Sequence, residues 1–201
     1  MGHDRGARVA YRMALDWPDR VSQLVVLDIV TTWDTWQPAH QAAPRKGTHW
    51  AFLAQPAPIP ETLIGTDPAA WLDGCLERRT RSGSLACFDP RALARYRAIL
   101  SDADRIHATC EDFRAGASCD LMDDQMDRSA LRRIACPTLV LWGTHGGLAM
   151  ISDPVSLWRP WCETVSGSTV EAGHFIPEES PAELLEAVGP FLNEAEAEAC
   201  V

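Results

Sequence analysis

The sequence contains no CxxC pair, no long apolar run and no surplus of basic charge, and each absence closes off a class of protein. Its seven cysteines (positions 75, 87, 110, 119, 136, 162 and 200) are scattered and odd in number. That spacing describes neither a disulfide framework nor a zinc site, and reduced thiols in a cytoplasmic protein are expected. No stretch approaches the roughly 18 apolar residues that a membrane-spanning helix needs, and no secretory leader is recognisable at the N-terminus. Basic residues number 18 against 28 acidic ones, for a net charge of −10, so a nucleic-acid partner is not expected. No cluster of ligand-type side chains implies a metal, no motif implies a cofactor, and no internal repeat occurs.

What is present is a chain of 201 residues, long enough for one domain with a substantial core. Residues 7–17 place Val9, Ala10, Met13, Ala14 and Trp17 at helical spacing, and Pro18 ends the run. Residues 21–30 form a short, β-branched, almost continuously apolar run, as in a strand buried on both faces of a parallel sheet. Asp28 lies at the C-terminal end of that run, where α/β sheets gather functional groups, and a carboxylate in such surroundings requires a partner.

From 31 to 133 the strand–helix rhythm breaks. This part is rich in Trp and Pro, with helices expected around 69–79, 91–100 and 103–114, an extended or turning segment at 55–60, and a solvated acidic surface at 120–128. Strand character returns at 137–143. A helix near 155–161 follows, with Pro160 an awkward member, then a short strand at 168–174 and a last helix over 182–198 with Ser180 as its N-cap. The alternation predicts an α/β fold, with a core of residues 1–30 and 134–201 and a helical cap of residues 31–133 suited to serve as a lid.

The chain is organised around Gly2-His3-Asp4-Arg5-Gly6. A Gly-x-nucleophile-x-Gly pentapeptide marks a tight strand-to-helix turn that lifts one reactive side chain above a sheet, and both glycines are expected where no Cβ fits. The central residue is Asp4, a carboxylate able to form a covalent ester. Asp4, Asp28 and His174 follow one another in the order nucleophile, acid, histidine of the α/β-hydrolases. After Trp142-Gly143 the chain reads Thr-His-Gly-Gly, with no carboxylate until Asp153, so Asp28 is the better acid.

Beyond the pentapeptide with Ala7 and Arg8, the informative stretches are Asp28 behind Val25-Val26-Leu27, His49-Trp50, Cys110-Glu111-Asp112-Phe113-Arg114-Ala115-Gly116, the 137–143 strand and Gly173-His174-Phe175. As a set they resemble the haloacetate (fluoroacetate) dehalogenases of the α/β-hydrolase superfamily, over essentially the whole chain. The resemblance implies the C-terminal part of an α/β-hydrolase fold, from the nucleophile elbow onward, with a helical cap inserted. It implies that Asp4 displaces the halogen to leave an aspartyl ester, that His174 activates water against that ester, and that Asp28 holds the imidazole. Arg5 and Arg8 would clamp the substrate carboxylate, which suits a planar guanidinium. His49 and Trp50 would cradle the departing halide through ring N–H donors. The implied partner is a small halo-acid, with a homodimer left open; the reaction needs only water, without metal or cofactor.

Two departures from the family pattern are visible. Phe113 stands where members often carry a third halide donor, a tyrosine, so defluorination should suffer more than dechlorination. The family also has about five strands before the elbow, and without them the first strand would present an open edge. Two other readings compete. Epoxide hydrolases also use an Asp nucleophile but need cap tyrosines, and only Tyr11 and Tyr96 exist here. The other is an inactive fragment or binding module.

Overall fold

Four strands form one parallel sheet in the computed structural model, which describes residues 1–37 and 48–198. They are β1 (Gly2–His3), β2 (Leu24–Leu27), β3 (Thr138–Gly143) and β4 (Val165–Val170), hydrogen-bonded in the order β1-β2-β3-β4. Every strand is followed by helix, as parallel pairing requires. Helix α1 (Arg5–Asp16) links β1 to β2, α9 (Pro154–Trp158) links β3 to β4, and α10 (Ile176–Glu179) and α11 (Pro181–Glu198) close the chain. The register sets Gly2 beside Val26 and His3 beside Leu27, so β1 and β2 end side by side. Asp4 and Asp28 are therefore the first residues beyond two neighbouring strand ends.

The apolar run at 21–30 yields a strand shorter than the run. All four residues of β2 are buried, and Asp28, with φ 50°, turns the chain out of the sheet. On one face Val25, Leu27, Leu139, Leu141 and Val170 bury against Ile176, Leu184 and Val188 of the last two helices. The strand expected over 168–174 starts and stops earlier, at Val165 and Val170. Past Val170, the Glu171 and Gly173 N–H groups donate to the carboxylates of Glu183 and Glu179, each at 3.0 Å, outside the ladder. The helix expected near 155–161 ends at Trp158, short of Pro160, which cannot continue it. The Ser180 hydroxyl, expected as an N-cap, donates to the Glu171 carbonyl at 2.8 Å.

The chain divides into two compact units, residues 1–31 with 126–201 and residues 32–125. The second holds α2 (Thr32–Thr35), α3 (Thr48–Leu53), α4 (Ile59–Thr66), α5 (Pro68–Glu77), α6 (Pro90–Leu100), α7 (Ala103–Gly116) and most of α8 (Cys119–Ser129). Asp67, Asp89 and Asp102 cap α5, α6 and α7, each accepting a first-turn backbone N–H. Leu53, Ile64, Ile106, Cys110 and Phe113 form the buried core of this unit, with Trp50, Phe52 and Trp71 packed against it. The 55–60 segment is not wholly extended. Helix α4 begins at Ile59 and takes Pro60 into its first turn, where a missing N–H costs no intrahelical bond.

The acidic stretch at 120–128 is a helix rather than a merely solvated face. Asp124 and Asp127 are 1% and 4% exposed. Their spacing turns both inward while Asp123 faces water. Asp124 accepts the Trp33 N–H at 2.9 Å. Asp127 is gripped by Arg12 at 2.5 Å and Arg132 at 2.6 Å, and Arg132 also reaches the Leu15 carbonyl. Burial of these carboxylates is thus offset by charge-assisted bonds. Cys75, Cys87, Cys110, Cys119, Cys136 and Cys162 are free thiols, and Cys200 lies outside the described residues. No helix among the described residues is long and apolar enough to cross a membrane.

Candidate active site

Asp4 occupies the junction between β1 and α1 with φ 48° and ψ −123°. For a residue with a Cβ, that conformation costs on the order of 1–3 kcal/mol and persists only where surrounding structure imposes it. Here Gly2 permits the turn: a Cβ on it would sit 2.6 Å from both the Ala7 Cα and the Gly6 carbonyl. Gly6 differs from expectation. It lies in the first turn of α1 with nothing within 4 Å of where a Cβ would stand, so the tight approach is one-sided. The Asp4 carbonyl accepts the Ala7 N–H at 3.1 Å, which starts α1 directly after the strained residue.

The structure brings Asp4, Asp28 and His174 together from three separate loops of the first unit. His174 Nδ1 lies 2.7 Å from Asp28 Oδ2, and Nε2 lies 3.2 Å from Asp4 Oδ2. The first contact is a hydrogen bond; the second is an ion-pair contact in which the N–H is not aligned on the carboxylate. Asp28 is enclosed. Its carboxylate also accepts the N–H groups of Gly143 and Gly147, each at 3.3 Å. A Cβ on Gly146 would intrude to 2.6 Å from Asp28 Oδ1, so the loop after β3 wraps the carboxylate closely only because glycine is there. That Thr-His-Gly-Gly loop supplies no acid, but it supplies the cradle of one.

Burial disfavours a charged imidazole at His174, and the hydrogen bond to Asp28 together with the charges of Asp28 and Asp4 overcomes it, raising the group to about 9. At neutral pH His174 is therefore an imidazolium between two carboxylates. His3 is pushed the other way: burial first, then the nearby His174 charge, lowers its pKa. A neutral His3 donates from Nε2 to the His174 carbonyl at 2.8 Å, and the two rings meet at a tilt of 48° with centroids 4.6 Å apart. In the pentapeptide pattern His3 is the variable residue before the nucleophile. Its one visible signal was adjacency to the nucleophile, which does not forecast a contact to a residue so far along the chain.

Arg5 and Arg8 open α1. Arg8 is 7% exposed, unusual for a cation on a surface helix, and Arg5 is half-buried. His49 and Trp50 lie in the second unit, where Trp50 meets Phe113 edge-on at 5.1 Å and His49 meets Phe113 at 6.0 Å. Glu61, His107 and Glu111 bring three ligand-type atoms within 4.8 Å of one another. Arg114 already occupies that cluster, 2.8 Å from Glu61 and 2.5 Å from Glu111, and holds the Glu61 carboxyl down at about 2. It is an ion-pair knot rather than a metal centre.

No family model matches the chain. A fluoroacetate dehalogenase from Burkholderia sp. is 37% identical over 195 residues, which make up 97% of this chain and 63% of that protein. A soluble epoxide hydrolase from Corynebacterium sp. (strain C12) is 26% identical over 196 residues, 95% of this chain and 65% of that protein. A solved structure from Nostoc sp. PCC 7120, provisionally described as an α/β-hydrolase, superimposes with a TM-score of 0.89 at 45% identity, over 95% of this chain and 64% of that one. The chain thus spans a little under two thirds of the length of each of these relatives. The parallel sheet, its flanking helices and the strained turn at Asp4 are those of an α/β-hydrolase fold.

Proposed function

We propose that the chain carries the chemistry of a hydrolytic haloacetate dehalogenase, working through an ester on Asp4. The observation that carries the reading is His174 held between two carboxylates, one buried and hydrogen-bonded, the other on a strained turn and only 28% exposed. In the first step an Asp4 oxygen attacks the halogen-bearing carbon; the C–O bond forms as the carbon–halogen bond breaks, and the halide leaves with the electron pair. In the second, water adds to the ester carbonyl while His174 Nε2 takes its proton. The glycolate oxygen then leaves and recovers that proton from the imidazolium, and the new Asp4 carboxyl passes the water's second hydrogen to the freed imidazole, which restores the Asp4 carboxylate beside an imidazolium.

The charge on His174 orders these steps. While Asp4 is ionised the imidazole stays protonated and cannot act as a base. Alkylation removes the Asp4 charge, one of the two that hold the proton in place, so the imidazolium releases its proton to solvent and the base is available when the ester exists. Arg5 and Arg8 are the proposed clamp for the substrate carboxylate, and His49 and Trp50 the proposed halide donors. The 37% identity to a protein named fluoroacetate dehalogenase supports this substrate class.

An epoxide hydrolase is the second reading, favoured by the likeness to the Corynebacterium enzyme and compatible with the same Asp nucleophile. Against it, Tyr11 is 2% exposed and packs edge-on to Trp158 at 5.7 Å, a core position. Tyr96 packs on Phe88. Halide release from chloroacetate and fluoroacetate by the purified chain, beside Asp4→Asn and beside hydrolysis of a small epoxide, separates the readings. Halide release abolished by Asp4→Asn is expected; epoxide opening without halide release would overturn the assignment.

A further inference from the structure

The loop that carries His174 has left the sheet, since β4 ends at Val170. Past Val170 the chain after β3 still ties to this loop through the His145 N–H to the Ala172 carbonyl at 2.9 Å, but that bond lies two residues short of the histidine and does not by itself hold an imidazole to within the fraction of an ångström that proton transfer requires. Yet backbone polar groups on either side of it are engaged by side chains. The Gly173 N–H donates to Glu179 Oε2 and the Phe175 N–H to Glu179 Oε1, both at 3.0 Å. One carboxylate thus spans the two peptide groups that flank His174. Between them, the His174 carbonyl accepts from His3 Nε2 at 2.8 Å. Helix α10 is a single turn, in which the Glu178 and Glu179 N–H groups both return to the Phe175 carbonyl at 2.9 Å. That turn folds Glu179 back toward the loop that precedes it.

We propose that Glu179 is a positioning residue: its carboxylate replaces the missing sheet ladder and fixes the His174 loop, and through it the aim of the imidazole. Hydrogen bonds to an ionised acceptor are roughly twice as strong as neutral ones, which suits a single side chain that stands in for a ladder. Glutamine at the same place keeps the shape but turns an NH2 group toward one of the two backbone N–H donors, so one anchor becomes a repulsion. The chemical consequence rests on the ester reading above. Displacement of halide by Asp4 does not use His174, whereas hydrolysis of the ester does, so a misaimed imidazole slows only the second step.

The test has one part that depends on the dehalogenase reading and one that does not. In the ligand-free chain, nuclear magnetic resonance follows the His174 Nδ1–H signal and the titration of its ring. Glu179→Gln should broaden the signal and move the titration down from about 9 toward the ordinary 6.5. Glu183→Gln, which removes the neighbouring carboxylate from the Glu171 N–H, should leave both unchanged. Equal behaviour of the two variants, or a Glu179→Gln titration identical to the parent's, would overturn the proposal. With chloroacetate, Glu179→Gln should accumulate ester on the Asp4 peptide while the first halide burst is retained, with ester hydrolysis slowed by up to about 10²-fold. Equal loss in both steps would mean a merely structural role. A parent chain that forms no ester would defeat the dehalogenase reading and leave the titration to decide the role of Glu179. If Glu179→Gln does not fold, amide exchange in the parent decides: slow exchange at Gly173 and Phe175, outside any strand, is expected, and fast exchange at both would contradict the clamp.

Discussion

Nδ1 of His174 lies 2.7 Å from Oδ2 of Asp28, whose side chain has no solvent exposure at all. Two further partners of the carboxylate are the backbone N–H groups of Gly143 and Gly147, each donating at 3.3 Å. Replacement by Asn keeps the size but presents an NH2 group to donors. Asp28→Asn should lower turnover by about 10⁴-fold, the order seen when a triad acid loses its charge and the imidazole its tautomer. Steady-state halide release checks this, with ester on Asp4 as the accumulating species.

The pH dependence of stability has a definite sign. The folded-state pKa of His174, about 9, lies above the unfolded value of 6.5, so the folded chain binds the proton more tightly. The stabilisation is fully present below about 6.5 and disappears as pH rises through 9. Urea unfolding of the parent and of His174→Gln across that range should show the parent losing stability relative to the variant as pH rises. His3, with its pKa lowered, contributes the opposite slope: its share is present above 6.5 and is lost as pH falls.

The glycines sort by what surrounds them. Gly143→Ala should be the most disruptive, because its Cβ would collide with the Gly173 and Ala172 carbonyls, backbone that cannot step aside. Gly146→Ala should fold but displace Asp28, so activity falls more than stability. Gly6→Ala, with open space and a helical backbone, should raise stability by up to about 1 kcal/mol. Thermal melts with paired activity measurements distinguish the three.

Asp127 carries a different load. Asp127→Ala removes the shared partner of Arg12 and Arg132 and should cost about 1.5–3 kcal/mol, whereas Asp123→Ala, on the exposed face of the same helix, should stay within about 0.5 kcal/mol. Denaturant midpoints of the two variants make the comparison.

These last residues show where sequence legibility ended. The apolar runs at 21–30 and 137–143 announced buried parallel strands because burial on both faces leaves no polar alternation. The elbow was legible because the turn needs Gly2. The inward turn of Asp124 and Asp127 was not, since partners as distant as Trp33 and Arg12 decide which acids of an acidic helix are buried. Glu179 and His3 were missed for a related reason: both act on backbone atoms of a loop, and a carboxylate that accepts peptide N–H groups leaves no pattern in side-chain chemistry. Strand ends were overestimated wherever a side chain captured the next N–H, as Glu179 and Glu183 do beyond β4.

An ester at Asp4 is the central species, and the most direct measurement is a single turnover of chloroacetate in heavy-oxygen water with the chain in excess over substrate. Water attacks the ester carbonyl, so the label should appear in the Asp4 carboxylate, with the glycolate unlabelled. Labelled glycolate beside an unlabelled Asp4 would mean that water attacks the substrate directly, and would contradict the account.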